Sequence, residues 1–183
     1  VEALLADPEI EVRTEALLAL TRTTDVDPLL RIESVGDFED YSIQASLAAF
    51  LARPGPAQHV ETAQIILQRM VGEGGPAGVR VRAEAARVIG MSPDVFDREL
   101  RRLLEDDAFE VAREAIRAAG RLGKRTLVLR LIDRIAEPQL TDEVVASLAA
   151  MGDRIVPALR EYFASREGAA ALRRELPAVL QAI

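Results

Sequence analysis

The segment Leu103–Gly123 reads LLEDDAFEVAREAIRAAGRLG. It begins as the end of one helix, continues through an acidic turn at Asp106 and Asp107, and then enters a second helix with small residues at helical spacing. Ala115 lies at the centre of this second helix. We therefore predict a pair of helices joined by a short turn, with small side chains on the buried face.

This unit recurs along the chain. When Leu4–Leu20 is aligned with Leu103–Ala119, the identical positions are Leu4, Leu5, Asp7, Glu11, Val12, Glu15, Ala16 and Ala19. A further copy, VRAEAARVIG at Val81–Gly90, matches VAREAIRAAG at Val111–Gly120 in its Val, Glu, Ala, Arg and Gly. These matches indicate an internal repeat, which is typical of stacked helix pairs.

The remaining helical patterns indicate further helix pairs over residues 1–183. Helix breaks fall at Pro54–Pro56 and at Ser92 and Pro93. We predict an all-α superhelix (solenoid) of about five to six helix pairs. Val1 begins inside a helical pattern, so we also expect one repeat domain taken from a longer protein.

Composition supports helices and argues against several functions. Hydrophobic residues make up 49% of the chain and aromatic residues 4%, so Leu, Val, Ile and Ala must build the core, which suits closely packed helices. The net charge of −7 argues against nucleic-acid binding, because phosphate binding needs a dominant positive field. No apolar run approaches the ~20 residues that a membrane span needs, so we expect no membrane insertion.

Few residues are suited to catalysis. The chain has no Cys and one His, His59, which argues against disulfides, structural zinc and nucleophiles paired with a histidine base. We expect His59 to be a surface or capping side chain, and we expect no cofactor and no catalytic residue.

Two other segments resemble sites but have simpler explanations. Residues 72–78, GEGGPAG, lack the GK[ST] ending of a phosphate loop and follow a helix, so we predict a loop insertion. Glu105, Asp106 and Asp107 could form a hard-cation site, but carboxylates between two helices also cap free N–H groups, which we favour.

A column of small residues runs through the second helices of the pairs. Its predicted members are Ala16, Ala45, Ala85, Ala115 and Ser147. A large side chain in this column would push neighbouring layers apart. We interpret the column as structural.

The pattern of Asp, then Val-Arg, then Ala on a helix pair resembles the HEAT repeat. It is carried by Asp7, Val12, Arg13 and Ala16, and partly by Val81, Arg82 and Ala85. The resemblance implies a right-handed αα-superhelix that holds a macromolecular partner on a concave face lined by the second helices. The tail segments MGDRIVPAL and LRRELPAVLQAI look like HEAT regions attached to bacterial membrane transporters of the ATP/ADP-antiporter-like type.

A row of arginines is the candidate partner site. Arg113, Arg117 and Arg121 are four residues apart and share one helix face, Arg87 aligns with Arg117, and Arg22 aligns with Arg121. Such a row suits a protein, an acidic peptide or a phosphate-bearing group. The alternative is a merely solvated face. Separately, Arg13 and Arg82 share one repeat position, as do Glu15, Glu84 and Glu114, and we expect these residues to form ion-pair ladders along the stack that set register and solubility.

We therefore predict a non-catalytic, cytoplasmic scaffold or regulatory module that binds a protein or peptide. A first alternative is a soluble cytoplasmic regulatory domain of a bacterial membrane transporter, tethered to the membrane through its parent chain. A second is a HEAT-like enzyme, either a DNA glycosylase or a chromophore lyase. The glycosylase is disfavoured because it needs a basic cleft with aromatic side chains.

Overall fold

A computed structural model describes residues 57–91 and 96–165, together with ten isolated positions nearer the two ends of the chain. The described residues form α-helices, short 3-10 helices and turns, with no strand among them, which confirms the all-α prediction. The α-helices are α1 (Ala57–Gly72), α2 (Gly75–Met91), α3 (Asp97–Leu104), α4 (Phe109–Leu122), α5 (Val128–Arg134), α6 (Thr141–Ala150) and α7 (Val156–Ser165). One 3-10 helix, Arg125–Leu127, leads into α5, and another, Gly152–Ile155, leads into α7.

Several predictions concern other parts of the chain. The predicted features that lie outside the described residues are Arg13, Glu15, Arg22, Ala45, and the helix breaks at Pro54–Pro56 and at Ser92 and Pro93. None of the described helices is both long enough and apolar enough to span a membrane.

The chain divides into two compact units, Val1–Phe96 and Asp97–Ile183. In the first unit, α1 packs against α2. The buried side chains of this hairpin are Ala63, Leu67, Met70, Val71, Ala85, Ala86, Val88 and Ile89. The expectation of one repeat domain stays a prediction.

The loop predicted at residues 72–78 is much shorter in the structure. Helix α1 continues to Gly72 and α2 starts at Gly75, which has a φ of 67° that favours glycine. Arg82 closes the turn by donating a hydrogen bond from Nη1 to the Glu73 carbonyl, at 2.6 Å. Arg82 therefore helps to stabilise this turn.

Gly78 explains why the turn can be so tight. It is buried, and a Cβ at this position would lie 2.7 Å from the Glu73 carbonyl oxygen. Only a glycine lets the first turn of α2 approach that carbonyl, and a glycine-rich sequence therefore produces a compact helical hairpin here instead of a long loop.

The second unit contains stacked hairpins. Helix α3 packs against α4 to form one pair, and α5 packs against α6 to form the next pair. Between pairs, α4 packs against α6, while α5 contacts both α3 and α7. First helices thus contact first helices and second helices contact second helices, as a stack of hairpins requires.

The register between successive second helices follows from their C-terminal ends. Helix α4 is followed by Gly123, which has a φ of 61° and donates its N–H to the Ala119 carbonyl at 3.0 Å. Helix α6 is followed by Gly152, which also has a φ of 61°. Aligning these glycines pairs Ala115 with Val144. Both residues are buried, so this register keeps the burial pattern.

The column of small residues must be corrected accordingly. Ser147 was predicted to align with Ala115, but the glycine register aligns it with Ala118 and puts Val144 in the column. The prediction failed because the connections before the second helices differ in length, and the shared C-terminal turn fixes the register better than the helix centre does.

Candidate functional site

The candidate surface lies on α4, all of which the structure describes. Half of its 14 residues are buried, namely Val111, Ala112, Ala115, Ile116, Ala118, Ala119 and Gly120. The exposed and half-exposed positions fall on the opposite side, and they include Arg113, Arg117 and Arg121. We call these three residues the arginine strip; they lie on one face, as their spacing predicted.

Arg117 is the centre of the strip and is held by two carboxylates. Its Nε donates to Glu143 Oε2 at 2.9 Å and its Nη2 donates to Glu143 Oε1 at 2.6 Å. Its Nη1 donates to Glu114 Oε1 at 3.0 Å. The guanidinium therefore makes a two-pronged ion pair with α6 and a single bond within α4, the geometry that suits arginine and carboxylate best.

These contacts change the proton affinity of both groups. The hydrogen bond from Arg117 lowers the pKa of Glu143, with partial desolvation opposing the effect and the charges of Arg117 and Arg113 adding to it. The hydrogen bond to Glu143 raises the pKa of Arg117, again against partial desolvation. Glu143 is therefore ionised at neutral pH and remains available as an acceptor.

Arg113 has a different environment. Its guanidinium carbon lies 5.5 Å from the centroid of the Phe109 ring, one helical turn earlier, and its Nη2 lies 3.5 Å from Glu114 Oε1. Its Nε is buried and finds no hydrogen-bond acceptor among the residues that the structure describes. The aromatic ring thus supports the side chain of Arg113, while part of its donor capacity is unused.

Arg121 is the open end of the strip. It is exposed, and no hydrogen bond or ion pair joins it to another residue in the described part of the chain. The three arginines of the strip therefore differ in their contacts. Arg113 is partly engaged, Arg117 is held by two carboxylates, and Arg121 is open to solvent.

The predicted counterpart in the first unit has the same local geometry. Arg87 on α2 approaches Glu84 at 3.4 Å, as Arg117 approaches Glu114, three residues apart in both cases. The repeat of glutamate and arginine is thus a local ion pair in each unit. The binding role of Arg87 stays a prediction.

Glu143 is the residue of this site that the sequence reasoning missed. In the glycine register it aligns with Glu114, so Glu84, Glu114 and Glu143 occupy one repeat position. The signal was present in the spacing of Gly123 and Gly152. It was hidden by the choice of Ser147 as the equivalent of Ala115.

The first helices are joined by a second set of polar contacts. Lys124 pairs with Asp97, and Arg130 pairs with Glu105. These contacts link the α3 hairpin to residues of the next hairpin.

Arg134 makes the most extensive of these contacts. Its Nη1 donates to the Leu104 carbonyl at the end of α3, at 2.9 Å, and its Nη2 donates to Glu137 Oε2 at 3.0 Å. Arg134 therefore satisfies a helix-end carbonyl that no helical N–H can reach.

The acidic turn has a structural role. Asp106 Oδ1 accepts the Ala108 N–H at 3.0 Å, just before α4 begins, while Asp107 is exposed. Glu105 pairs with Arg130. The described residues include no group of three or more His, Asp or Glu side chains arranged to hold a metal ion.

His59 is the third residue of α1 and is half-exposed. This position agrees with the predicted surface location.

Comparisons with known proteins add little to this geometry. No family model matches the chain, and no curated protein matches it. Among solved structures, the crystal structure of an engineered protein from the Northeast Structural Genomics Consortium is similar over 99% of this chain and 95% of that one, with 17% sequence identity and a TM-score of 0.39. A similarity at this level carries no argument about fold details or function.

Proposed function

We propose that the chain is a non-catalytic, cytoplasmic HEAT-like scaffold or regulatory module, built as a right-handed αα-superhelix. It binds a protein partner or an acidic peptide on the face formed by its second helices. The observation that carries this proposal is the arginine strip on α4, because three arginines lie on the half of this helix that is not buried.

Packing supports a rigid binding surface. Helix α4 is held by α3 on one side and by α6 on another, and its buried residues are mainly alanines, which leave little room for movement. A surface on a packed helix is ordered before a partner arrives. Binding to it therefore costs less conformational entropy than ordering a loop would.

Charge supports an acidic partner. Arg121 is exposed and the side chain of Arg113 is 36% exposed, so the guanidinium groups of both residues have surface on which an external acceptor could bind. The chain as a whole carries a charge of −7, so a local basic strip is a distinctive recognition feature rather than part of a general positive field.

The test is reversal of the strip. The triple variant Arg113→Glu, Arg117→Glu, Arg121→Glu is expected to lose a partner that the wild-type chain captures from a lysate of the source organism, while its helical circular dichroism is retained. The captured proteins are identified by mass spectrometry.

A matched control carries the same charge change on the first helices. It is the variant Arg98→Glu, Arg102→Glu, Arg125→Glu, whose three arginines are exposed on α3 and on the 3-10 helix before α5. Retention of the partner by this control, together with its loss from the strip variant, supports the proposal. Equal capture by both variants contradicts it.

A further inference from the structure

The carboxylate of Glu143 already occupies the site where an acidic partner would bind Arg117. Two of the five guanidinium donors of Arg117 point at the two oxygens of Glu143, and a third points at Glu114. An external carboxylate that bonded to Arg117 in the same way would have to displace Glu143.

That exchange favours the internal group. Glu143 is attached to the same chain and loses no translational freedom when it binds, whereas an external carboxylate does. Both groups carry one negative charge and offer two oxygens, so the bonds gained equal the bonds lost. A single carboxylate of a partner therefore gains nothing at Arg117.

A phosphoryl group on a side chain is a different ligand. It carries a charge of about −1.5 to −2 at neutral pH and offers three acceptor oxygens. It can displace one carboxylate with a net gain of charge interaction, and it can bond to Arg117 and a neighbouring arginine together, since residues four apart on a helix are about 6 Å apart along the axis. Arg121 lies at that distance and is open to solvent.

We propose that Glu143 acts as an internal competitor that makes the arginine strip selective for a phosphorylated peptide segment over a peptide bearing only carboxylates. This inference rests on the proposed function, because it names the partner chemistry of the same strip. Arg121 receives the phosphoryl group first, and Arg117 exchanges Glu143 for it.

The experiment compares two fluorescein-labelled peptides of equal length by fluorescence anisotropy, with the whole 183-residue chain as receptor. In one peptide phosphoserine alternates with glycine, and in the other glutamate replaces each phosphoserine. The wild-type chain is expected to bind the phosphoserine peptide about tenfold more tightly. Equal affinity of the two peptides, or binding of neither, overturns the inference.

The variant Glu143→Gln tests the competitor directly. Removing its charge is expected to tighten binding of the glutamate peptide by about fivefold, which narrows the gap between the peptides. The matched control is Asp142→Asn, the same loss of charge one residue earlier, at an exposed side chain that makes no hydrogen bond to Arg117. If both variants change the two affinities by the same factors, general charge repulsion explains the result and the inference is wrong.

Two further results separate the possible outcomes. Inorganic phosphate at the phosphoryl concentration of the peptide should displace it only weakly; equal competition would show a free-anion site and contradict a peptide partner. If the strip variant loses its lysate partner but Glu143→Gln does not change peptide selectivity, the proposed function stands and this inference fails. If the strip variant also keeps its lysate partner, both fail.

Discussion

Gly120 determines how closely two second helices of the stack approach each other. A Cβ built at this position would lie 2.9 Å from both Cβ and Oγ of Ser147, and 3.0 Å from its Cα. Ser147 is itself buried, with 6% of its surface exposed. Because one of these contacts is to the main chain, rotation of the serine side chain cannot relieve the clash.

We expect Gly120→Ala to destabilise the chain by up to about 2 kcal/mol, because an overpacking cost of ~1 to 3 kcal/mol is reduced by a gain of about 1 kcal/mol from the better helix propensity of alanine. Gly72→Ala is the control. A Cβ at this position meets no atom of the described residues within 4 Å, so the variant should be neutral or stabilised by up to ~1 kcal/mol. Urea unfolding with an unchanged slope measures both. Equal midpoints for the two variants would contradict the close approach.

Contacts between the first helices differ from each other in burial, and so in their effect on stability. The side chain of Arg134 is 18% exposed and bonds to a helix-end carbonyl, whereas Arg130 and its partner Glu105 are 38% and 64% exposed. Exposed pairs are weakened by solvent and by side-chain entropy, and partly buried bonds to a charged donor are not weakened to the same extent.

We therefore expect Arg134→Met to lower the free energy of unfolding by about 1.5 to 3 kcal/mol, because the Leu104 carbonyl and Glu137 lose their donor. Arg130→Met, the matched change four residues earlier on α5, should cost only ~0 to 1 kcal/mol. Chemical denaturation at neutral pH distinguishes them. If Arg130→Met lowers the free energy of unfolding as much as Arg134→Met does, burial does not determine which of these contacts stabilises the chain more.

How well each helix could be predicted depends on whether its ends are marked by residues near them in the sequence. The end of α3 and the whole of α4 were predicted within a few residues, since apolar spacing and flanking turn residues mark them directly. The start of α2 was missed, because Gly75 and Gly78 suggest a loop unless the contact with the Glu73 carbonyl is known.

The candidate site, too, could be predicted from the sequence only in part. The shared face of Arg113, Arg117 and Arg121 follows from a spacing of four, which is a local property of one helix. The occupation of Arg117 by Glu143 depends on the register between α4 and α6, and a helix pattern contains no register. In the sequence, that register is indicated only by the spacing of Gly123 and Gly152, the two glycines that follow these helices.

Across the whole chain, acidic and basic side chains are combined so that a local row of arginines does not produce a basic protein. The net charge is −7, and Glu114 and Glu143 neutralise much of the arginine strip. A phosphodiester backbone presents one charge per phosphate, so at Arg117 it has no advantage over the carboxylate of Glu143. Competition from Glu143 therefore favours a dianionic phosphoryl group at Arg117 and disfavours the singly charged phosphates of DNA.

We expect no retardation of a duplex DNA fragment in an electrophoretic mobility shift at about 150 mM salt and ~10 μM protein, a concentration at which basic proteins bind DNA without sequence preference. The double variant Glu114→Gln, Glu143→Gln raises the net charge by two and frees Arg117, so it would be the first form to shift if the strip could follow a DNA backbone. Retardation of DNA by the wild-type chain that weakens steeply with salt would contradict the scaffold proposal and favour the glycosylase alternative. Retardation by the double variant alone would instead identify the two glutamates as the groups that exclude DNA from this surface.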